Sequence, residues 1–186
     1  MSENVRDIQI RKEIMDFLLV PQYDDEDLTP AELEDVENWM YELCGPGFTA
    51  LDESPNAQTD SVTYISDASA TVTTIGYETQ FSFNAELITS ENAIRFIYLI
   101  GTRQRLGSAA ETDYVRVEGF FPHPTIPNSY IARRFRVAVE VTDVTGDGGQ
   151  KIEVSGNLNN VGSFTEGYFN IATKVFTAME APVPAP

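Results

Sequence analysis

Arg134-Phe135-Arg136-Val137-Ala138-Val139-Glu140-Val141-Thr142 decides the fold class. Phe135, Val137, Val139 and Val141 alternate with Arg134, Arg136, Ala138 and Glu140. A period of two places the first set on one face of a strand and the second on the other. Downstream lies Thr145-Gly146-Asp147-Gly148-Gly149-Gln150, a turn-forming run whose glycines permit positive φ. Lys151 to Ser155 follows, with Ile152 and Val154 as its apolar set. Two alternating strands about such a turn predict an antiparallel hairpin.

Working outward, Tyr114 to Glu118 repeats the pattern with Val115 and Val117 inward. Thr71 to Phe83 reads as one longer strand, β-branched and aromatic, and Glu166–Asn170 with Lys174–Thr177 as a short final hairpin. Strands at this spacing predict a mainly β protein, an antiparallel β-sandwich or barrel. One α-helix interrupts them at about residues 90–101. Ser90 is its expected N-cap, Glu91 suits the first turn, and Gly101 is placed to end it. Ala93, Phe96, Ile97 and Ile100 fall at i, i+3, i+4, i+7, a core-facing stripe; Ile94, Tyr98 and Leu99 widen it, so the helix needs cover on more than one side. Upstream, Thr29-Pro30-Ala31-Glu32 resembles a capping box and predicts a helix, while Trp39-Met40-Tyr41-Glu42-Leu43 reads as a strand. A short acidic helix or loop running into a strand reconciles them.

The 186 residues read as a single domain over 1–178: an N-terminal arm 1–21, an acidic segment 22–44 and a β-rich core 45–178. Residues 179–186, ending Ala-Pro-Val-Pro-Ala-Pro, read as a flexible proline-rich tail. Lys and Arg number 12 against 29 Asp and Glu, a formal net charge of −17. Such a surface repels phosphate, which disfavours tight binding of nucleic acid or an anionic membrane. It is either a solvated exterior or a wall past which a polyanion slides. The start has no signal-peptide pattern, and no apolar run approaches the roughly 20 residues of a membrane span, so the chain reads as intracellular when made.

The residues of chemistry are sparse. Cys44, the one cysteine, cannot form an internal disulfide and reads as a small buried hydrophobe. His123, the one histidine, sits between Pro122 and Pro124 in a rigid loop and reads as a surface residue, not a general base. One His and one Cys cannot build the usual zinc sets, and the phosphate-binding glycine patterns and the nucleophile elbow are absent. Asp143 and Asp147 fit a hairpin better than a calcium loop. The run Asp24-Asp25-Glu26-Asp27, continued by Glu32, Glu34, Asp35 and Glu37, reads either as a weak site for a divalent cation or, more plainly, as a solvated, self-repelling segment. The expectation is a protein that is not an enzyme, with no catalytic residues, no cofactor and no metal, whose function is its surface.

Several stretches, taken in order, resemble the major tail tube proteins of long-tailed, siphovirus-type bacteriophages of Gram-positive bacteria. They are Gly47-Phe48-Thr49-Ala50-Leu51-Asp52-Glu53-Ser54-Pro55-Asn56-Ala57-Gln58-Thr59, Tyr64-Ile65-Ser66-Asp67-Ala68-Ser69-Ala70 and Ile75-Gly76-Tyr77-Glu78. Ala110-Glu111-Thr112-Asp113-Tyr114-Val115-Arg116-Val117 and residues 132–141 follow, then Gly156-Asn157-Leu158-Asn159-Asn160-Val161-Gly162, Gly167-Tyr168-Phe169 and Thr173-Lys174-Val175-Phe176-Thr177. Together they span about residues 45–178. The acidic segment 22–37 and the proline-rich end depart from the family.

The resemblance implies a β-sandwich with one flanking helix. Six copies form a ring in which four strands of each copy join one barrel, and rings stack into a tube through which DNA is ejected without specific binding. It further implies a virion protein assembled in the host cytoplasm, with tape measure, tail terminator and distal tail proteins as partners and no membrane. The small-residue stretch 52–74 is the candidate for contacts between stacked rings, through Asp52, Pro55, Gln58, Tyr64, Ile65 and Asp67; its plainer reading is an ordinary surface hairpin. The competing functions are a tail completion or head-tail joining ring protein and, from a different class, a carbohydrate-binding sandwich or carboxylate hydrolase. A phage-tail-like bacteriocin would use a similar subunit.

Overall fold

The computed structural model describes residues 9–23 and 38–179. Its strands are β1 (Ile14–Pro21), β2 (Trp39–Leu43), β3 (Phe48–Ser54), β4 (Ala57–Val62), β5 (Thr71–Tyr77), β6 (Gln80–Glu86), β7 (Glu111–Pro122), β8 (Ser129–Thr145), β9 (Glu153–Asn160), β10 (Thr165–Asn170) and β11 (Val175–Ala178). The helix α1 (Asn92–Thr102) lies between β6 and β7. Nine strands form one antiparallel sheet, ordered β2-β1-β7-β8-β9-β6-β3 with β10 and β11 branching from β8. Among the described residues, β4 and β5 pair only with each other.

The connection between β2 and β3 forces this sheet to curl. These strands stand at opposite ends of a seven-strand path, which laid flat would separate them by about 29 Å. Residues 44–47 join them and span at most about 18 Å. The sheet therefore bends into a half-barrel. At the bend, Gly47 has φ +80, and a Cβ there would lie 2.6 Å from Ile94 Cδ1 of α1, so both its backbone and its lack of a side chain are used.

Inside the curl lies the larger core. Leu18, Leu51, Phe81, Phe83, Tyr114, Phe135, Val137, Val139, Val154 and Leu158 meet Phe96, Ile97 and Ile100 of α1. Phe81 stacks against Tyr114 and Phe135 at ring separations of 4.6 and 5.0 Å. A second core lies on the opposite face of β1, β7 and β8, where Phe17, Val115, Val117 and Ala132 are covered by Phe169 of β10 and Phe176 of β11. The 17-residue β8 makes both layers possible. Its first part pairs with β10 (Ser129↔Asn170 to Arg134↔Thr165) and its second with β9 (Val137↔Asn160 to Thr145↔Glu153).

The alternation of residues 134–142 is realised as expected: Phe135, Val137 and Val139 are buried and Arg136 and Glu140 exposed. The strand extends further at both ends. Val115 and Val117 are inward, but so are Tyr114 and Arg116 on the other face, because β7 is covered on both sides. Trp39 to Leu43 is a strand, as read, and the final hairpin forms one residue off the expected bounds.

Four expectations need correction. Thr71 to Phe83 is two strands, broken at Glu78 and Thr79, where the chain leaves the hairpin to enter the main sheet. Ile152 does not share the apolar face of Val154; it precedes β9 in the loop and is 46% exposed, its carbonyl taking the Leu87 amide. The N-cap is Glu91, not Ser90, with no side-chain cap bond. Gly101 does not end the helix, which continues to Thr102; it is glycine because a Cβ there would lie 2.7 Å from Val141 Cβ. The expected helix at Thr29, most of the acidic segment and the proline-rich tail lie outside the described residues. Gln22 and Asn38 bracket the acidic segment and are joined by an amide–carbonyl bond of 2.8 Å.

Candidate assembly surfaces

β6 and β9 alternate as strictly as β8 does. Phe81, Phe83, Val154 and Leu158 point into the core, so Gln80, Ser82, Asn84 and Glu86, with Glu153, Ser155, Asn157 and Asn159, must take the opposite face. The pairing aligns these residues into rows across β8, β9, β6 and β3: Ala138–Asn159–Gln80–Ser54, Glu140–Asn157–Ser82–Asp52 and Asp143–Ser155–Asn84–Ala50. Thr145, Glu153 and Glu86 make the last row. No residue of this face is fully buried. The residues of these rows are small side chains, amides, threonine and carboxylates; the nearest cation on the same face of β8 is Arg136, two residues before Ala138, where it pairs with Glu111 and Asp113 of β7. Gln80 bonds Asn159 and Asn159 bonds Glu140, both at 2.8 Å. Lys151, outside the rows, pairs with Glu86 and Glu153, whereas Asp52, Glu140 and Asp143 have no cation within ion-pair distance among the described residues.

This four-strand wall ends in two free edges. Among the described residues, β3 pairs with β6 on one side and with no strand on the other. On β8 the pairing with β7 stops at Ala138, so residues 139–145 have β9 as their sole strand partner among the described residues. Each free edge is seven residues long. Since every step of the wall is antiparallel, β3 and β8 run in opposite directions.

The β3 edge carries a charge directed inward. Glu53 forms paired bonds to Arg133 at 2.7 and 2.9 Å and lies 3.4 Å from Arg116. Burial alone would raise its carboxyl, yet the bonds and charge of Arg133, with Arg116 behind, hold it below the ordinary range. Asp16, buried on β1, accepts a bond from the Tyr114 hydroxyl and lies 3.8 Å from Arg116. Burial and the Asp16 charge push the Tyr114 hydroxyl well up. Burial, then Asp16, does the same to the Cys44 thiol, which disfavours the reactive thiolate.

The third surface is the β4–β5 hairpin. Every residue of both strands is exposed except the half-buried Gly76. Val62, Val72, Ile75 and Tyr77 are among them, and in the loop Tyr64 is 63% exposed and Ile65 fully so. Asn56, at φ +49, sets the base, where its side-chain amide donates to the Glu78 carbonyl at 3.1 Å.

Of the six residues expected to mediate stacking, five belong to this hairpin: Pro55 at its base, Gln58 in β4, and Tyr64, Ile65 and Asp67 in the loop. Asp67 donates its amide to the Tyr64 carbonyl in a turn. Asp52 is separate, on the polar wall opposite Ser82. Sequence reasoning missed the wall as a unit, although the signal is there: Gln80 to Glu86 and Glu153 to Asn159 alternate as clearly as residues 134–142.

His123 is half-buried in the β7–β8 loop. Its Nδ1 accepts the amides of Thr125 and Ile126, both at 3.1 Å, and its ring meets Tyr168 edge-on at 4.3 Å. It organises a turn. Among the described residues no group of three or more His, Cys, Asp or Glu is placed to hold a metal ion, and no helix is long and apolar enough to cross a membrane.

No protein-family model and no curated protein matches the chain. Among solved structures it is similar to a chain from the tail of an empty GTA particle of C6 symmetry, with a TM-score of 0.51 and 14% identity, over 85% of this chain and 98% of that one. At that identity the two share a fold: a curled, mainly antiparallel sheet with one helix.

Proposed function

We propose that the chain is a structural subunit, not an enzyme, which assembles into six-membered rings stacked as a tail tube, the conduit for DNA in a phage virion or phage-like particle. The observation that carries this reading is the bare polar wall ending in two free, oppositely directed edges. A free edge invites another strand. If β3 of one copy pairs with residues 139–145 of the next, the sheet continues without changing its antiparallel rule, and a head-to-tail contact of that kind closes into a ring. The six-fold symmetry of the similar tail supports six copies. Twenty-four strands about 4.8 Å apart and tilted by about 40° give a circumference of about 150 Å, a barrel roughly 48 Å across at the backbone.

The wall then faces the bore. Its Ser, Asn and Ala side chains keep the bore open, and Asp52, Glu140 and Asp143 repel phosphate, so DNA slides instead of binding. The helix and the β10–β11 layer face outward. The hairpin, exposed on both faces, spans the step between rings, and tape measure, terminator and distal tail proteins meet the tube along its bore and at its ends.

Negative-stain electron microscopy over a concentration series tests the proposal. Hollow tubes of uniform width and regular axial repeat are expected. Single rings that never stack indicate a completion or joining protein instead. Monomers at every concentration count against self-assembly.

A further inference from the structure

Arg11 precedes β1 in a single 3-10 turn, Arg11–Glu13. Its guanidinium donates to the Ile14 carbonyl at 2.9 Å, to Asp16 Oδ2 at 2.6 Å and to the Leu51 carbonyl at 2.9 Å. The last bond crosses from β1 to the middle of β3. Because β6 holds one side of β3, a carbonyl reached from β1 faces the other, unpaired side. One acceptor of the free edge is thus already occupied, by a side chain of the same molecule.

Everything beneath Arg11 holds it there. Asp16 is 2% exposed and anchored by Tyr114, while the Arg11 side chain is 48% exposed and can leave without opening the core. Strand β1 does not pair with β3; between them is a cleft of about 540 Å³ lined in part by Met15, Cys44, Phe48 and Leu51. An edge strand left open is a site for unwanted pairing, and a cation laid on it is one of the ways such pairing is prevented. Glu53, turned inward from the same strand, is another.

We propose that Arg11 is a removable guard on the β3 edge: in the free chain it caps the Leu51 carbonyl and hinders a strand of a second copy from pairing there, and it swings out when that strand arrives. The inference rests on the ring-forming reading above. It makes assembly a competition between an internal side chain and an external strand for one carbonyl, so weakening the guard promotes assembly.

The test compares the concentration at which rings or tubes first appear, by light scattering and electron microscopy, for the wild-type chain, Arg11→Ala, Arg11→Lys and Lys12→Ala. Arg11→Ala should lower the threshold roughly two- to tenfold, the worth of one net hydrogen bond. Arg11→Lys, which keeps the charge beside Asp16 but loses the fork, should fall between, and its retained ion pair keeps a folded variant in the series. Lys12→Ala removes a neighbouring cation of the same cleft that makes no bond to β3 and should match wild type. If wild type and Arg11→Ala assemble at the same threshold, or Arg11→Ala needs a higher one, the guard is wrong while ring formation stands. Assembly of Arg11→Ala alone supports both ideas. If neither assembles, ring formation fails and the guard with it.

Discussion

The β7–β8 pair and the β4–β5 hairpin are built from the same residue types, and the chain treats them oppositely. Both are rich in Val, Thr and Tyr, good strand formers. In β7, Tyr114 belongs to one core while Val115 and Val117 belong to the other, so residues 114–117 are buried on both faces. In the hairpin, Val62, Val72, Ile75 and Tyr77 are exposed. The difference is neighbours, not propensity. A two-stranded hairpin alone is marginal in water; on the proposed reading the hairpin's apolar side chains find their contacts outside this chain, whereas the body stabilises itself. Mutations should divide along that line, costing the body its fold and the hairpin its assembly.

The largest effect should come from Phe135→Ala, which empties the aromatic cluster with Phe81 and Tyr114. Loss of about 3–5 kcal/mol is expected, read as a fall in the denaturant midpoint. Next is Glu53→Gln, which removes a charged partner from Arg133 and should cost about 1.5–3 kcal/mol at neutral pH. Its sign with pH is fixed. The folded Glu53 carboxyl lies below its ordinary value of 4.5, so its contribution is fully present above that value and is lost as pH falls through the folded one. Wild type and Glu53→Gln should therefore converge in stability in acid; a gap that widened there would break the assignment. Gly101→Ala should cost about 1–3 kcal/mol by driving a methyl against Val141. A neutral result would mean that α1 shifts freely on the sheet.

How much of this was legible in the sequence follows the same division. Strands with one apolar face, such as residues 134–142, declare themselves, because burial on one side enforces a period of two. The break between β5 and β6 is masked by the β-branched and aromatic residues on both sides of it, with only Gly76 and Glu78 to mark where the chain changes partner at Glu78 and Thr79. Gly101 reads as a stop by position, but its reason is a side chain forty residues later. The polar wall could have been read from Gln80–Glu86 and Glu153–Asn159, yet the rows that join them depend on register, which no single strand contains. Pro55, Gln58, Tyr64, Ile65 and Asp67 are grouped in the sequence by a small-residue stretch and by resemblance, and the fold sets them on one hairpin, whereas Asp52, adjacent in sequence, faces a different surface. Arg11 gave no signal at all, because its partner Leu51 is distant in the chain.

The smallest expected effect on the fold is the most informative about function. Ile65→Ser and Tyr64→Ser lie at the hairpin loop, where neither side chain is buried. Surface substitutions of this kind change stability by within about 0.5 kcal/mol, so melting curves should overlay wild type. If the hairpin bridges stacked rings, the same variants should leave single rings intact and stop their growth into tubes, because the ring contact uses β3 and β8 and not the hairpin. Sedimentation velocity separates these species. Tubes of normal length from Ile65→Ser would show that the exposed apolar loop is an ordinary surface feature, and the comparison between body and hairpin would lose its functional meaning. Loss of rings as well as tubes would mean that the hairpin acts within a ring, beside the strand edges it was set apart from here.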